Sequence, residues 1–167
     1  DLAEQLDFNV DFRNRQRTTN YAVFGNVTID VGGGLSLDLG GRYTYERKRF
    51  FQSSPRIFAG TPLLAGTPSY TLRKSWSSFT PKAVLSYRFN PDVMGYASFS
   101  QGFRSGGFNG RPTSVAEISS FNPEKLTAYE LGLKSTLLGG RLRLNGDVFR
   151  NEYRDMQLLV IVTLPGS

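Results

Sequence analysis

Cationic and aromatic side chains crowd the stretches between the most regular segments of this chain. Arg47, Lys48, Arg49, Arg56, Arg73, Lys74, Arg104 and Arg111 stand there. A guanidinium suits bidentate contact with carboxylate or phosphate. Phe103, Phe108 and Phe121 add ring faces on which a ligand can stack, and Asn109 adds an amide between them. That mixture fits a bulky, partly anionic small molecule better than a bare ion. We therefore expect ligand contacts from Arg47, Arg49, Arg73, Phe103, Arg104, Phe108 and Asn109. The competing reading is that the cations keep the loops soluble and the aromatics pack a loop onto itself.

Other chemistry is excluded by composition. The chain has neither Cys nor His, so disulfides, zinc sites, thiol nucleophiles and imidazole bases are absent. We expect no catalytic residue, no metal site and no cofactor. Asp and Glu pairs exist, but none converges for general acid–base work. Gly32-Gly33-Gly34 lacks the Lys-Ser/Thr that a phosphate loop requires. Twenty basic against 14 acidic residues give a net charge of +6, which raises nucleic-acid binding by a soluble β-module as an alternative. The basic residues are spread along the chain rather than gathered in one stripe, so we expect no nucleic-acid partner.

The elements that must position these residues are strands. Leu35, Leu37, Leu39, Gly41, Tyr43 and Tyr45 alternate with Ser36, Asp38, Gly40, Arg42, Thr44 and Glu46. Period two puts one set on each face of a strand. Tyr21, Val23, Gly25, Val27 and Ile29 behave alike, with Phe24 as an exception on the polar side. Phe79, Ala83, Leu85, Tyr87 and Phe89 alternate with Lys82, Ser86 and Arg88. Tyr129, Leu131 and Leu133 alternate with Glu130 and Lys134, and Leu142, Leu144, Gly146 and Val148 with Arg143, Asn145 and Asp147. Turn residues fall at Gly32-Gly33-Gly34, Asn90-Pro91-Asp92 and Leu138-Gly139-Gly140. The fold class is all-β: an antiparallel up-and-down meander of about six long strands. Hairpins lie near 19–46, 76–101 and 126–157, with long connections at roughly 47–75 and 102–125. No helix is expected.

Lipid is the expected cover for the apolar face. Strands of about 10 residues match a tilted bilayer crossing. Tyr43, Tyr45, Trp76 and Phe79 cluster at the long-loop end and Tyr87 and Phe89 at the turn end, as two aromatic girdles would. Arg42, Glu46, Lys82, Arg88, Glu130 and Lys134 then face a wet lumen. Short turns at one end and long loops at the other are the habit of outer-membrane barrels. Six strands are fewer than the roughly eight with which such barrels begin. The chain opens on Asp1-Leu2-Ala3-Glu4, passes through loop-like sequence at 9–18 and ends on Pro165-Gly166-Ser167. It therefore reads as three hairpins from a larger barrel, with all of 1–167 a partial barrel domain.

The stretch from Tyr96 to Asn109, with Tyr96-Ala97-Ser98-Phe99-Ser100 and then Gly102-Phe103-Arg104-Ser105-Gly106-Gly107-Phe108-Asn109, resembles TonB-dependent outer-membrane receptors. Asn122-Pro123-Glu124 followed by Tyr129-Glu130-Leu131-Gly132-Leu133-Lys134 is similar to that family's next block. So are Gly140-Arg141-Leu142-Arg143-Leu144-Asn145 and Tyr153-Arg154-Asp155-Met156-Gln157 after it, and Tyr21-Ala22-Val23-Phe24-Gly25 and Gly41-Arg42-Tyr43 before it. The subgroup it most resembles is the siderophore and pesticin-type receptors. The resemblance implies a bacterial outer-membrane location and a barrel of about 22 strands around an N-terminal plug. It implies active import of a scarce nutrient, a ferric siderophore above all, and no enzymatic activity. Implied partners are outer-membrane lipid and lipopolysaccharide, the plug domain, the TonB complex and the small-molecule ligand. The plug and the TonB-contacting segment are absent from these residues, so the energised step is expected elsewhere. Arg42, Glu46, Lys82, Arg88, Glu130 and Lys134 would then face the plug. A porin-like barrel is the alternative within the same membrane.

Overall fold

The computed structural model describes residues 9–11, 13–53, 56–58, 68–112 and 115–158. In chain order the strands are β1 (Asn9–Asp11), β2 (Asn14–Gly32), β3 (Leu35–Gln52), β4 (Arg56–Phe58), β5 (Tyr70–Asn90), β6 (Val93–Arg104), β7 (Gly107–Phe108), β8 (Ser120–Phe121), β9 (Glu124–Leu137) and β10 (Leu142–Arg154). One 3-10 turn, Val115–Glu117, is the helical exception among the described residues. The six long strands form one sheet in the order β10-β9-β6-β5-β3-β2, which is chain order once the short strands are set aside. The meander expected from period two is therefore the fold.

Turn chemistry sets the three hairpins. Gly32, Gly33 and Gly34 all have positive φ, at 88°, 63° and 86°, a conformation nearly free for glycine alone. Asn90 Oδ1 accepts from the backbone N–H of Asp92 at 2.9 Å and so closes its turn. Leu138, Gly139 and Gly140 turn with φ of 55°, 66° and 89°. Antiparallel order brings these three turns to one end of the sheet.

Register confirms the two faces. Leu85 lies opposite Ala97, Ala97 opposite Leu131, and Leu131 opposite Val148. Directly opposed residues share a face, so this is one apolar row across four strands. The other face is mixed: Ser98 opposes Glu130 and Asn145 opposes Lys134, with Val84, Met94 and Phe149 in the same rows. Phe24, the exception in its strand, lies on the polar face with the Arg42 guanidinium 5.9 Å from its ring centroid.

At two strand glycines a neighbouring ring covers the bare backbone. A Cβ at Gly41 would come within 2.8 Å of the Phe79 ring, and one at Gly132 within 2.5 Å of Tyr96. Tyr96 is held there by donating its hydroxyl to the Glu130 carboxylate, with the Lys134 ammonium 5.2 Å from the ring centroid.

The strands outrun the expected hairpins. Sequence placed loops at 47–75 and 102–125, yet β3 continues to Gln52, β5 begins at Tyr70, β6 ends at Arg104 and β9 begins at Glu124. Residues 14–18, expected as loop, belong to β2. The longer connection carries its own β7–β8 pair, with Gly107 opposite Phe121 and Phe108 opposite Ser120. Likewise β1 pairs antiparallel with β4. The terminal Pro165-Gly166-Ser167 lies outside the described residues.

The chain divides into two compact units: Ala22–Tyr43 with Ser78–Arg104 and Pro123–Ser167, and Asp1–Tyr21 with Thr44–Ser77 and Ser105–Asn122. The first holds the apolar rows, and among the described residues no second layer covers them. Leu131, Leu144 and Val148 stay 61%, 63% and 68% exposed. We expect this 167-residue segment alone to aggregate without detergent, because both the greasy face and two strand edges are open. Sedimentation that found a monodisperse, cooperatively melting monomer in plain buffer would contradict that expectation.

Candidate ligand-facing site

The second unit concentrates its chemistry on the polar face of β3 and β5. Along β3 the even positions Glu46, Lys48, Phe50 and Gln52 share that face; along β5 so do Tyr70, Lys74 and Trp76. Phe50 and Trp76 are the buried hydrophobic side chains among the described residues, at 5% and 7% exposure. What buries them is the β7–β8 hairpin. Phe108 stacks on Phe50 at 5.8 Å and tilts against Trp76 at 5.9 Å, while Tyr70 meets Phe50 at 6.3 Å.

Polar contacts pin the same hairpin. Lys48 Nζ donates to the Gly106 carbonyl at 2.7 Å and pairs with Glu46 Oε1 at 3.1 Å. Lys74 Nζ donates to Ser120 Oγ at 2.8 Å, and Ser105 donates its hydroxyl to Glu46. Both ammonium groups lie 5.7 Å from the Trp76 ring centroid, within cation–π range. Gly106 and Gly107 permit this close docking: a Cβ on Gly106 would reach within 2.6 Å of the indole, and one on Gly107 within 2.5 Å of the Phe121 ring.

Glu46 stands just beyond Tyr45, the last tyrosine of its strand. Burial alone would raise its pKa. Bonds from Ser105, Asn20 and Lys48, and the charge of Lys48, outweigh burial and hold the carboxyl below its ordinary 4.5. A depressed carboxyl pKa stabilises the folded form above the ordinary range, so these contacts weaken only as pH falls below it. Burial pushes the Tyr70 hydroxyl up.

The cluster also contains uncompensated polarity. The Gln52 amide, in a residue with no exposed surface, has no hydrogen-bond partner among the described residues, and neither have the Tyr70 hydroxyl and the Trp76 indole N–H. Each such group costs about 1–3 kcal/mol when left unpaired. Rings, two ammonium groups and unmatched donors are the equipment for a flat, partly anionic, hydrogen-bonding molecule. Phe108 occupies the stacking position in this structure.

The sequence-predicted residues separate by face. Phe108 joins the cluster. Asn109 fixes the loop: its Nδ2 donates to the Glu117 carbonyl at 3.3 Å and its Oδ1 accepts from Arg111 N–H at 3.1 Å. Arg104 ends β6 on the polar face, exposed, opposite Glu124. Phe103 is strand rather than loop, opposite Lys125 on the face of Ala97 and Phe99. Arg47, Arg49 and Arg73 lie on the face opposite the cluster and are exposed. Arg56 stands in β4, and its side chain lies outside the described residues. Arg42, Lys82, Arg88, Glu130 and Lys134 share the polar face of the other unit, with Lys82 opposite Ser100 and Arg88 opposite Met94.

Trp76 corrects an expectation. It is no girdle residue; it is buried, because it shares the even positions of β5 with Lys74 and Lys82. That parity was legible and would have found it. Phe50, Tyr70 and Gln52 were missed because charges on both faces of the strand ends blur the alternation.

The family model described as TonB dependent receptor-like, beta-barrel matches residues 2–167. Among solved structures, the ferric yersiniabactin uptake receptor FyuA from Yersinia pestis superposes with a TM-score of 0.78 at 17% identity, over 89% of this chain and 22% of that one. The ferric-catecholate import receptor Fiu from E. coli K12 gives 0.66 at 19%, over 84% and 22%. The alcaligin outer membrane receptor FauA from Bordetella pertussis gives 0.58 at 23%, over 92% and 24%. The chain thus spans less than a quarter of each of these receptors, and at such identities the likeness is one of fold.

Proposed function

Because the chain belongs to the TonB-dependent receptor-like β-barrel family, we propose that it forms the wall and loops of an active transporter that imports a ferric siderophore. The family places it in the outer membrane of a Gram-negative bacterium and among receptors rather than enzymes, and the porin-like and soluble-module alternatives give way to it. The observation that supports the ligand reading is the polar-face cluster of Trp76, Phe50, Tyr70 and Gln52 beneath Lys48 and Lys74. Its unpaired donors and aromatic faces suit a chelate whose surface is part aromatic or amide and part anionic. Phe108 fills the cluster until ligand replaces it. Arg104 adds an exposed cation, and Asn109 keeps the loop in shape.

In this reading Arg42, Lys82, Arg88, Glu130 and Lys134 face the plug domain inside the closed barrel, and Glu46 anchors the loop. The TonB complex acts on the plug through segments outside these residues. The test is uptake of radioactive iron by cells carrying the complete receptor, offered catecholate, hydroxamate and phenolate chelates in turn. One of these classes should support uptake. Arg104→Ala should weaken binding of that chelate several-fold at unchanged surface expression, the loss of one exposed charge-assisted contact. Uptake of haem or cobalamin with no response to any iron chelate would refute the ligand class, and unchanged binding in Arg104→Ala would make that arginine structural or idle.

A further inference from the structure

In this structure the polar-face cluster is already occupied, by a piece of the chain that copies what the cluster would hold. The β7–β8 hairpin brings one ring, Phe108, which stacks on Phe50 at 5.8 Å and meets Trp76 at 5.9 Å. It also engages both cations. Lys48 Nζ donates to the Gly106 carbonyl at 2.7 Å, and Lys74 Nζ to Ser120 Oγ at 2.8 Å. The hairpin thus uses the stacking faces and the ammonium groups in the places where a ligand would use them, so the two occupants exclude each other.

The fit is that of a stand-in rather than of a permanent part of the wall. A phenyl ring offers no acceptor. Beneath it the Gln52 amide, the Tyr70 hydroxyl and the Trp76 indole N–H have no partner among the described residues, whereas buried polar groups in finished packing are almost always paired. Toward the hairpin both lysines meet uncharged oxygens, and an ionised acceptor binds an ammonium more strongly. The hairpin is also slight. Its ladder pairs only Gly107 with Phe121 and Phe108 with Ser120. Phe121 is 43% exposed and Val115, in the 3-10 turn, 65% exposed, so Phe108 carries the apolar contact with the wall.

We propose, on the ligand reading above, that the β7–β8 hairpin is an internal competitor for the ligand seat, displaced only by a molecule that supplies both an aromatic ring and anionic oxygens. Binding then opens the loop instead of closing it. The incoming molecule returns a ring to Phe50 and Trp76, charged acceptors to Lys48 and Lys74, and acceptors to the buried donors. A molecule without a ring leaves Phe50 and Trp76 bare, and an uncharged one leaves the lysines on the hairpin. The apparent affinity is the intrinsic affinity scaled by the fraction of receptor whose hairpin is out.

The probe is ferric tris-catecholate, aromatic and anionic, bound to the complete receptor in detergent and measured by equilibrium dialysis of radioactive iron. The hairpin is read by a glutamate-specific protease at Glu117, which is exposed and lies between β7 and β8, with the new termini mapped by mass spectrometry. Saturating probe should speed that cleavage in the parent at least about tenfold. Phe108→Ala should speed cleavage without probe and tighten probe binding, each by about tenfold or more. The two factors should agree, since both follow the open fraction. Gly106→Val is the second variant should the first fail to give a heat-modifiable barrel, and the same agreement is expected from it. Ferric acetohydroxamate, uncharged and without a ring, should leave cleavage of the parent unchanged. Probe bound to the parent with cleavage equal or slower would overturn the competitor and leave the ligand reading standing. Faster cleavage in Phe108→Ala without tighter binding would do the same, as would opening by ferric acetohydroxamate. Failure of the probe to bind the parent and both opened variants would remove the ligand reading for aromatic chelates, and the competitor with it.

Discussion

Leu131→Arg in the complete barrel should cost about 2–4 kcal/mol of folding stability, the price of a cation on the lipid face near the midplane. Leu131 sits in the middle of the apolar row, opposed by Ala97 on one side and Val148 on the other. Along its own strand it is flanked on the same face by Tyr129 and Leu133, both exposed. Nothing within snorkelling reach relieves a guanidinium placed there. The measurement is reversible folding into vesicles at graded urea, read by tryptophan emission and by electrophoretic mobility. Asn151→Arg is the control. Asn151 opposes Ala128 on the polar face, where a cation keeps its water, so its cost should stay within about 0.5 kcal/mol. Equal costs for the two substitutions would mean that the two faces do not differ in environment, and the bilayer assignment would fall with that result.

The same contrast explains what could be read from the residues alone. Inside the bilayer each strand meets lipid on one side and polar surroundings on the other, so period two is enforced and Leu35–Tyr45 spells it out. Beyond Tyr45 both faces meet polar groups or protein. Arg47 and Arg49 then alternate with Lys48, the pattern goes blank, and β3 is mistaken for loop although it runs to Gln52. The site suffered for the same reason. Cations near a loop signal affinity for anions without saying which way they point, and a shift of one residue decides which face of the strand carries them. Arg47, Arg49 and Arg73 share the parity of Leu39 and Leu85, whereas Lys48, Lys74 and Trp76 share that of Asp38 and Lys82. Counting parity through the uninterrupted strand was the available signal. Gly106 and Gly107 were legible only as freedom to move. Their role depends on Trp76 and Phe121, which lie 30 residues before and 14 after Gly106 and Gly107 respectively, and no local pattern announces that.

Gly106→Val in the complete receptor should release the β7–β8 hairpin from the wall while leaving the barrel folded. The new Cβ would come within 2.3 Å of the Phe121 carbonyl oxygen and within 2.6 Å of both Cε2 and Nε1 of Trp76. That ring cannot easily withdraw, because Phe108 packs against it and Lys48 and Lys74 flank it. Overpacking of this kind costs about 1–3 kcal/mol, of the same order as the roughly 1.5–3 kcal/mol gained by burying one Phe side chain. Docking of a single hairpin rests largely on Phe108, so a penalty of that size moves the equilibrium toward the undocked form by about ten- to a hundredfold. A glutamate-specific protease reads the change at Glu117, which is exposed and lies between the two short strands of the hairpin. Cleavage there should accelerate by a comparable factor, with the heat-modifiable mobility of the barrel unchanged. Trp76→Ala combined with Gly106→Val should leave cleavage fast, because the Phe121 carbonyl oxygen still meets the new Cβ at 2.3 Å and the ring contact with Phe108 is lost as well. A Gly106→Val receptor as resistant as the parent would show that neither the Phe121 carbonyl nor the indole closes on the glycine, and the close docking at Gly106 would fall with that result.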